Sequence, residues 1–439
     1  MKRFRELLLF LLLLVGYSWG LTETPDPLVP ETNGPVYAIV QHEGMVYVGG
    51  YFSSIGGVSI RSLAAFNAQT GKVDEFWNPQ IDVNGPVHSL FVYDNKIYAG
   101  GHFTTVNESI TRNHLAAFEL ANGSNTGLVD PAWDPDLGEV VGSDLGEAVS
   151  DITSDGTYIY VGGDFRIVNS SISRKFIAAF EPANGSNTGL VVSDWDPHIE
   201  SDGSYTPGVH SLSIVNNTIY AGGRFTHVNN TIPRNSLAAF ELAGNGRTGD
   251  TDLSWDPNLY LTIAYTGYKQ GIANTLNSDS NYLYVGGTFD QVNGSIERNG
   301  IAAFELANGS NSGNTDPYWN PNIEGGIWGP MPGNIYDLSI IDTKIFIAGQ
   351  FYKVNETVTR NNIAAFDIAN NSNTGIVLSW NPDITLSYNN IGVKVVVRSG
   401  NGIITGGDIA EVGGEEHKYL VGFDSSVQIS SSVDIWELY

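Results

Sequence analysis

Residues 47–52 read Tyr-Val-Gly-Gly-Tyr-Phe, and copies of this stretch recur along the chain. The copies begin at Tyr47, Tyr98, Tyr160, Tyr220 and Tyr284, with weaker copies at Phe346 and Ile404. Successive copies start 51 to 64 residues apart. Self-similarity at a nearly constant period is typical of repeat architectures, so the sequence predicts seven tandem repeats of about 60 residues.

A small apolar residue precedes each copy by 11 positions. These residues are Val36, Val87, Val149, Val209, Ala273, Ile335 and Val393. Constant spacing over variable residues is what a hairpin of fixed register produces. Turn formers such as Asp94-Asn95 lie between the two ends of the spacing. We therefore expect a strand A, a tight turn, and a strand B that ends at Gly-Gly.

Two further elements complete each repeat. Strand C reads Leu/Ile-Ala-Ala-Phe in six copies and ends at Phe66, Phe118, Phe180, Phe240, Phe304, Phe366 and, as Leu-Val-Gly-Phe, at Phe423. A Trp-(Asn/Asp)-Pro motif follows at Trp77, Trp133, Trp195, Trp255, Trp319 and Trp380. Proline cannot donate to a central ladder, so this motif predicts an outer edge strand D. Four antiparallel strands in seven repeats predict an all-β, seven-bladed β-propeller, and an open solenoid without caps is disfavoured.

The motif set resembles the delta-60 repeat β-propeller family. The resemblance lies in Tyr-Val-Gly-Gly-x-Phe, Val-Asn-Gly, Arg-Asn-x-Leu-Ala-Ala-Phe and Trp-Asn-Pro, and it covers residues 34–439. The paired glycines after strand B are similar, more distantly, to kelch propellers. The resemblance implies a secreted or surface-exposed interaction module with no catalytic residue to carry over. The seventh repeat departs most, with Lys418 in place of arginine and no Trp-x-Pro.

The chain divides into a leader and the propeller. We expect a signal peptide over 1–20, a lead-in or closing strand over 21–33, and the propeller over 34–439. The expected blades are 34–84, 85–146, 147–207, 208–271, 272–333, 334–390 and 391–439. Two segments compete to complete the seventh blade. Trp436 would complete it from the C-terminal side, and Asp26-Pro27 from the N-terminal side.

The leader and the composition predict a secreted or cell-surface protein. Basic residues at 2, 3 and 5 precede an apolar run over 7–15, and Ser18 and Gly20 suit cleavage after Gly20. The chain has no cysteine, hence no disulfide. The formal net charge of −26 argues against nucleic acid and anionic membranes as partners. The expected partner is an extracellular glycan or protein. No EF-hand spacing appears, so no cofactor is predicted and a structural calcium ion has no supporting motif.

Two sets of side chains are candidates for ligand binding. The first faces the expected central channel from strand A, where Tyr37, His88, Ser150, His210, Asn274, Tyr336 and Lys394 share one position and Ala38, Ser89, Asp151, Ser211, Thr275, Asp337 and Val395 the next. Such variation marks either a ligand funnel or relaxed packing at a wet inner edge. The second set is the aromatic residues of the long D–A loops, Tyr205, Tyr260, Tyr265, Tyr268, Trp328 and Tyr388. They suit stacking on sugars or anchoring a protein, or they cover their own loops.

Three function classes remain open. The first is a non-catalytic extracellular recognition module that binds a glycan or protein on the face of the D–A loops. The second is a polysaccharide-acting enzyme at the channel mouth, for which Asp151, Asp337, His88 and His210 are the candidate residues. The third is a purely structural surface component. No motif supports catalysis, so the sequence favours the recognition module.

Ten Asn-x-Ser/Thr sequons and a row of cations also repeat. The sequons are Asn107, Asn122, Asn169, Asn184, Asn216, Asn229, Asn293, Asn308, Asn355 and Asn370. They predict glycosylation in a host that performs it, or turn chemistry. The cations before strand C are Arg61, Arg112, Arg174, Arg234, Arg298, Arg360 and Lys418. Regular repetition favours a structural clamp over an anion site for them.

Overall fold

The computed structural model describes residues 19–427 apart from positions 84, 141–147, 203–205, 245, 264–266, 312, 327–328, 371 and 388–391. Within these ranges the chain forms strands, turns and loops, and no helix is long and apolar enough to cross a membrane. Seven antiparallel sheets share the strand order A-B-C. The predicted signal peptide lies almost wholly outside the described residues.

The strands follow the repeats. The A strands are Val36–His42, Val87–Tyr93, Asp151–Ser154, Gly208–Val215, Ile272–Ser278, Asn334–Ile341 and Val393–Ser399. The B strands are Met45–Gly50, Lys96–Gly101, Ile159–Gly162, Thr218–Arg224, Tyr282–Thr288, Lys344–Gln350 and Gly402–Gly407. The C strands are Leu63–Asn67, Leu115–Glu119, Ile177–Phe180, Leu237–Glu241, Ile301–Glu305, Ile363–Asp367 and Leu420–Phe423.

Shorter strands form within the B–C and D–A connections. The B–C hairpins pair Thr105–Val106 with Ile110–Thr111, Ile167–Val168 with Ile172–Ser173, His227–Val228 with Ile232–Pro233, Gln291–Val292 with Ile296–Glu297, Lys353–Val354 with Val358–Thr359, and Ile409–Val412 with Glu415–Glu416. Two D–A connections form hairpins, Leu259–Ile263 with Gly267–Gln270 and Ile323–Gly326 with Gly329–Pro332, and a third holds the strand Ile384–Leu386.

The sheets form a closed ring, which makes the fold a β-propeller. Each strand A contacts strand A of the next repeat, and the seventh contacts the first. The first glycine of the Gly-Gly pair explains how the sheets stack. A Cβ on Gly49 would lie 2.7 Å from the Val87 side chain of the next sheet, and one on Gly406 would lie 2.6 Å from Val36. The small apolar residue of strand A faces a glycine in six of the seven repeats, and the sixth repeat has Ala348 at the position of that glycine.

The fourth, outer element of each repeat is shorter than the predicted strand D. It makes one isolated bridge to strand C, as Val129 does to Phe118. The chain then leaves its own sheet, because the tryptophan that follows packs in the core beside the next sheet. Trp77 Nε1 donates to the carbonyl of Glu119, 2.8 Å away in the next repeat. A ladder cannot extend past this crossing.

The N-terminal segment supplies the outer element of the seventh sheet. Asp26 N donates to the Gly422 carbonyl at 2.8 Å, which repeats the bond from Asp130 N to the Ala117 carbonyl. Trp380 Nε1 donates to the carbonyl of Thr22 at 2.9 Å. Strand Trp19–Leu21 also pairs with Ser425–Val427. Of the two expected closures, the structure describes the one through Asp26-Pro27, and the alternative at Trp436 lies outside the described residues.

Candidate functional site

A cavity of about 550 Å³ lies at the centre of the ring, where the seven A strands begin. All fourteen side chains of the two candidate ring positions line it, from Tyr37 and Ala38 to Lys394 and Val395. The structure therefore brings Tyr37, His88, His210 and Tyr336 together in one wall. The volume of the cavity falls within the range of small-molecule sites.

β-bulges explain why the first ring position faces the cavity. In six of the sheets the A–B register shifts by one residue, and the extra residue is the ring residue itself, as between Val36 and Ala38. A bulge leaves one residue out of the ladder and redirects its side chain. The extra residues are Tyr37, His88, His210, Asn274, Tyr336 and Lys394. The fold thus presents one variable side chain per bulged sheet to the cavity.

Two pairs of these side chains interact across neighbouring sheets. The Tyr37 and His88 rings stack with centroids 4.9 Å apart and planes 8° apart. Lys394 Nζ lies 3.3 Å from the centroid of the Tyr336 ring, a cation–π contact. The cavity wall therefore has two aromatic surfaces. One is the stacked pair of Tyr37 and His88, and the other is the Tyr336 ring with the Lys394 ammonium group over its face.

Asp164 is a cavity residue that the sequence analysis missed. It follows the Gly-Gly of the third repeat and lines the cavity beside His210. A Cβ on Gly208 would lie 2.1 Å from Asp164 Oδ1, so the carboxylate occupies the space left by that glycine. The only signal in the sequence was the variable residue of Gly-Gly-x-Phe, which differs among the repeats except that aspartate occurs twice, at Asp164 and Asp408.

The second ring position serves mainly to join sheets. Asp151 accepts hydrogen bonds from Leu212 N at 2.7 Å and Ser211 Oγ at 3.1 Å, both in the next sheet. Asp337 accepts one from Val396 N of the next sheet at 2.8 Å and one from its own neighbour, Leu338 N, at 2.8 Å. Strand A is the innermost strand of its sheet, so the N–H groups on its inner edge have no partner strand. The two carboxylates accept from these N–H groups in the neighbouring sheet.

Burial in the channel wall raises the pKa of both carboxyl groups. The pKa of Asp151 rises to about 6, and hydrogen bonds from Leu212, Ser211 and Ile152 oppose the rise. The pKa of Asp337 rises to about 7, again chiefly by burial, with the charge of Asp151 adding to the rise. Near neutral pH, Asp337 therefore exchanges between its charged and neutral forms.

Most of the loop aromatics lie beyond what the structure describes. Tyr205, Tyr265, Trp328 and Tyr388 are outside the described residues. Tyr260 is half-buried and lies on the first of the D–A hairpins, where it pairs with Gln270. Tyr268 lies on the opposite strand of that hairpin, paired with Thr262. The structure thus places two of the six residues on one hairpin of the D–A connections.

The sequons form two structural classes. Five lie at the tips of the B–C hairpins, are half-buried, and have φ between 43° and 49°: Asn107, Asn169, Asn229, Asn293 and Asn355. The other five are exposed, four in C–D turns and one in an A–B turn: Asn122, Asn184, Asn308, Asn370 and Asn216. We call these the hairpin asparagines and the turn asparagines.

Five of the six repeated arginines are internal clamps, whereas Arg61 and Lys418 are exposed. Arg112 is buried, and its guanidinium donates to the carbonyls of Asp130 and Pro131 at 3.0 and 3.1 Å. The same pattern of bonds recurs at Arg174, Arg234, Arg298 and Arg360. Each clamp ties the B–C hairpin to the outer element of its own repeat. Among the described residues, no group of three or more His, Asp or Glu side chains could hold a metal ion.

Comparison with known proteins adds little beyond the ring of sheets. No family model and no curated protein matches the sequence. Three solved structures are similar in fold, each at 13% identity or less. The first, YCF48 bound to D1 peptide, has a TM-score of 0.47 at 10% identity, with 94% of this chain and 96% of that chain covered. The second, the designed Ika8 protein, has a TM-score of 0.45 at 11% identity, with 91% and 100% covered. The third, BamB from Moraxella catarrhalis, has a TM-score of 0.42 at 13% identity, with 92% and 100% covered. At these scores no function transfers.

Proposed function

We propose that this chain is an exported, non-catalytic β-propeller of the delta-60 repeat type that binds the end of a glycan chain in the central cavity. Each A-B-C sheet and its outer element count as one four-membered blade, which makes seven blades. The proposal depends chiefly on one observation: the repeats keep their packing residues but differ at the bulged position that faces the cavity.

The cavity wall has the chemistry that a sugar needs. A sugar ring offers an apolar C–H face and a rim of hydroxyl groups. The stacked rings of Tyr37 and His88 present a flat surface to such a face. His210 and Asn274 line the same cavity, and an imidazole and an amide oxygen can both bind hydroxyl groups. Asn274 Nδ2 is used within the wall, where it donates to Asn334 Oδ1 and to the Ile335 carbonyl. Purely structural packing would not require seven repeats to carry such different side chains here.

The carboxylates favour binding over catalysis. A general acid or base needs a carboxyl group aimed at the substrate. Asp337 uses one oxygen for Val396 N and the other for Leu338 N, and Asp151 divides its oxygens between Leu212 and Ile152. These bonds commit both side chains to the channel wall. The polysaccharide-acting enzyme is therefore the weaker of the candidate functions.

A glycan array with purified protein tests the proposal. Specific binding that weakens about tenfold or more in His210→Ala and in Tyr336→Ala supports the cavity site, since tenfold corresponds to about 1.4 kcal/mol. Tyr318→Ala is the matched control, because Tyr318 is 56% exposed and does not line the cavity. Unchanged binding in both cavity variants would place the ligand elsewhere, and a blank array would overturn the glycan as ligand.

A further inference from the structure

The hairpin asparagines already use their side-chain amides inside the fold. Asn107 Nδ2 donates to the carbonyls of Pro79 and Gly127 at 3.2 and 3.1 Å, and its Oδ1 accepts from Val129 N at 2.8 Å. Positions 127 and 129 are alternate groups on the open edge of the outer element. The amide therefore pairs with this edge as a further strand would, which protects an unpaired edge.

The same bonds recur at the other hairpin asparagines. Asn169 repeats both edge contacts, to Gly189 O at 3.0 Å and from Val191 N at 2.9 Å. The remaining three each donate to the corresponding glycine carbonyl, at Gly249, Gly313 and Gly375. Asn107 and Asn169 donate from Nδ2 twice, so a substituent on either nitrogen would displace one of these bonds. On the other three it would lie beside the bond to the glycine carbonyl of the outer edge.

The turn asparagines are arranged in the opposite way. Asn122 Oδ1 accepts from Ser124 N, Ser124 Oγ and Asn125 N, at 2.8 to 3.0 Å. These three bonds hold the oxygen toward the turn, and within the described part of the chain no bond from Nδ2 is recorded. The pattern repeats at Asn184, Asn308 and Asn370. The fifth turn asparagine, Asn216, does not share this pattern and is placed with the others because it is exposed at the tip of its A–B turn.

The turn asparagines also lie far from the cavity. Each strand A starts at the cavity and ends at the A–B turn, and seven strand residues span about 23 Å. The C–D turns lie beside the A–B turns, since Ala68 N donates to the Gly44 carbonyl at 2.8 Å. The A–B and C–D turns therefore form one face at the end of the ring away from the cavity.

We infer that asparagine-linked glycans are carried by the turn asparagines and excluded from the hairpin asparagines. In this reaction Asn Nδ2 bonds to C1 of an oligosaccharide held on a lipid diphosphate. The C1–O bond breaks, the lipid diphosphate leaves with the electron pair, and the amide proton passes to a base of the transferase. A glycan added to Asn107 before folding would replace one of the two N–H groups that bind Pro79 and Gly127. The glycans thus cover the face of the A–B and C–D turns and leave the cavity open.

Glycopeptide mapping of the full chain, secreted from cells that glycosylate an appended control sequon, tests the inference. We expect glycans at the five turn asparagines and unmodified amides at the five hairpin asparagines. A hairpin asparagine that carries glycan in the folded protein would overturn the inference. Bare turn asparagines beside a glycosylated control sequon would overturn it as well. Cavity binding plays no part in this readout, so the two proposals can fail separately.

A pair of variants separates the structural role of Asn107 from a role as glycan acceptor. Asn107→Asp and Ser109→Ala both delete the sequon, but only the first removes the bonds to the Pro79 and Gly127 carbonyls, because Ser109 is exposed and bonds the hairpin through its backbone. Aspartate also tolerates the positive φ of this position, so backbone strain does not differ. We expect a lower urea midpoint for Asn107→Asp and a parental midpoint for Ser109→Ala. Equal midpoints in the two variants would contradict the edge role.

Discussion

The substitution Tyr98→Phe should loosen one backbone contact between repeats without changing the packing. Tyr98 is fully buried, and its hydroxyl accepts a hydrogen bond from Ala183 N at 2.9 Å, across 85 residues of sequence. The Tyr98 ring packs edge-on against Trp133, with centroids 5.1 Å apart, and phenylalanine keeps that contact. Removing the oxygen leaves a buried N–H without an acceptor, because Ala183 is only 1% exposed.

An unsatisfied buried donor costs about 1–3 kcal/mol, which corresponds to roughly 5- to 150-fold lower hydrogen-exchange protection at that amide. Exchange at Ala183 is therefore the direct assay, and urea unfolding gives the global effect. Phe346 occupies the equivalent position of the sixth repeat, so the ring without a hydroxyl fits the fold. Tyr318→Phe, at an exposed site, controls for loss of a hydroxyl. Unchanged protection at Ala183 in Tyr98→Phe would refute the reasoning.

Three other predictions concern Asp337, the N-terminal segment that completes the seventh sheet, and Arg112. Because burial raises the pKa of Asp337 to about 7, above its unfolded value, its contribution to stability should fall as pH rises from about 4 to about 7 and then stay level. Urea unfolding across that range should show a shallower decline in Asp337→Asn, and an identical slope would contradict this. Deletion of 21–32 should open the ring and expose Trp380, seen as red-shifted fluorescence and a lower unfolding midpoint, whereas a parental spectrum would show that the segment is dispensable. Arg112→Ala should cost about 2–3 kcal/mol, because the buried carbonyl of Asp130 and the part-buried carbonyl of Pro131 lose a charged donor. A loss no greater than that of the exposed Arg61→Ala would count against the clamp.

The sequence predicted the inner part of each repeat well, because register and packing leave a periodic trace. The 11-residue spacing and the Gly-Gly pair correspond to strands A and B, and the small residues of strand C lie in the core. The outer element differs from the prediction because Trp77 and its equivalents dock on the next sheet, and a motif does not reveal the sheet to which it belongs. For the same reason the sequence left the closure open between Asp26-Pro27 and Trp436.

The candidate site was only partly readable from the sequence. The variable ring position was visible, but the bulge that turns Tyr37 and its equivalents toward the cavity leaves the 11-residue spacing unchanged in every repeat. Asp164 was missed because its placement depends on the space beside Gly208. The two classes of sequon share one consensus, so only the bonds of each amide distinguish Asn107 from Asn122.

The crossing tryptophans mean that no repeat is complete by itself. Each sheet packs against the tryptophan of the preceding repeat. The first sheet packs against Val29, which stands at the corresponding position of the N-terminal segment. The covalent break in the ring lies where strand Trp19–Leu21 meets Ser425–Val427. This break lies inside the seventh sheet, between strand C and the outer element, and the bond from Asp26 N to the Gly422 carbonyl crosses it as the equivalent bonds do in the other sheets. Circular permutants opened at the C–D turn of another repeat would keep these contacts and change only where synthesis starts.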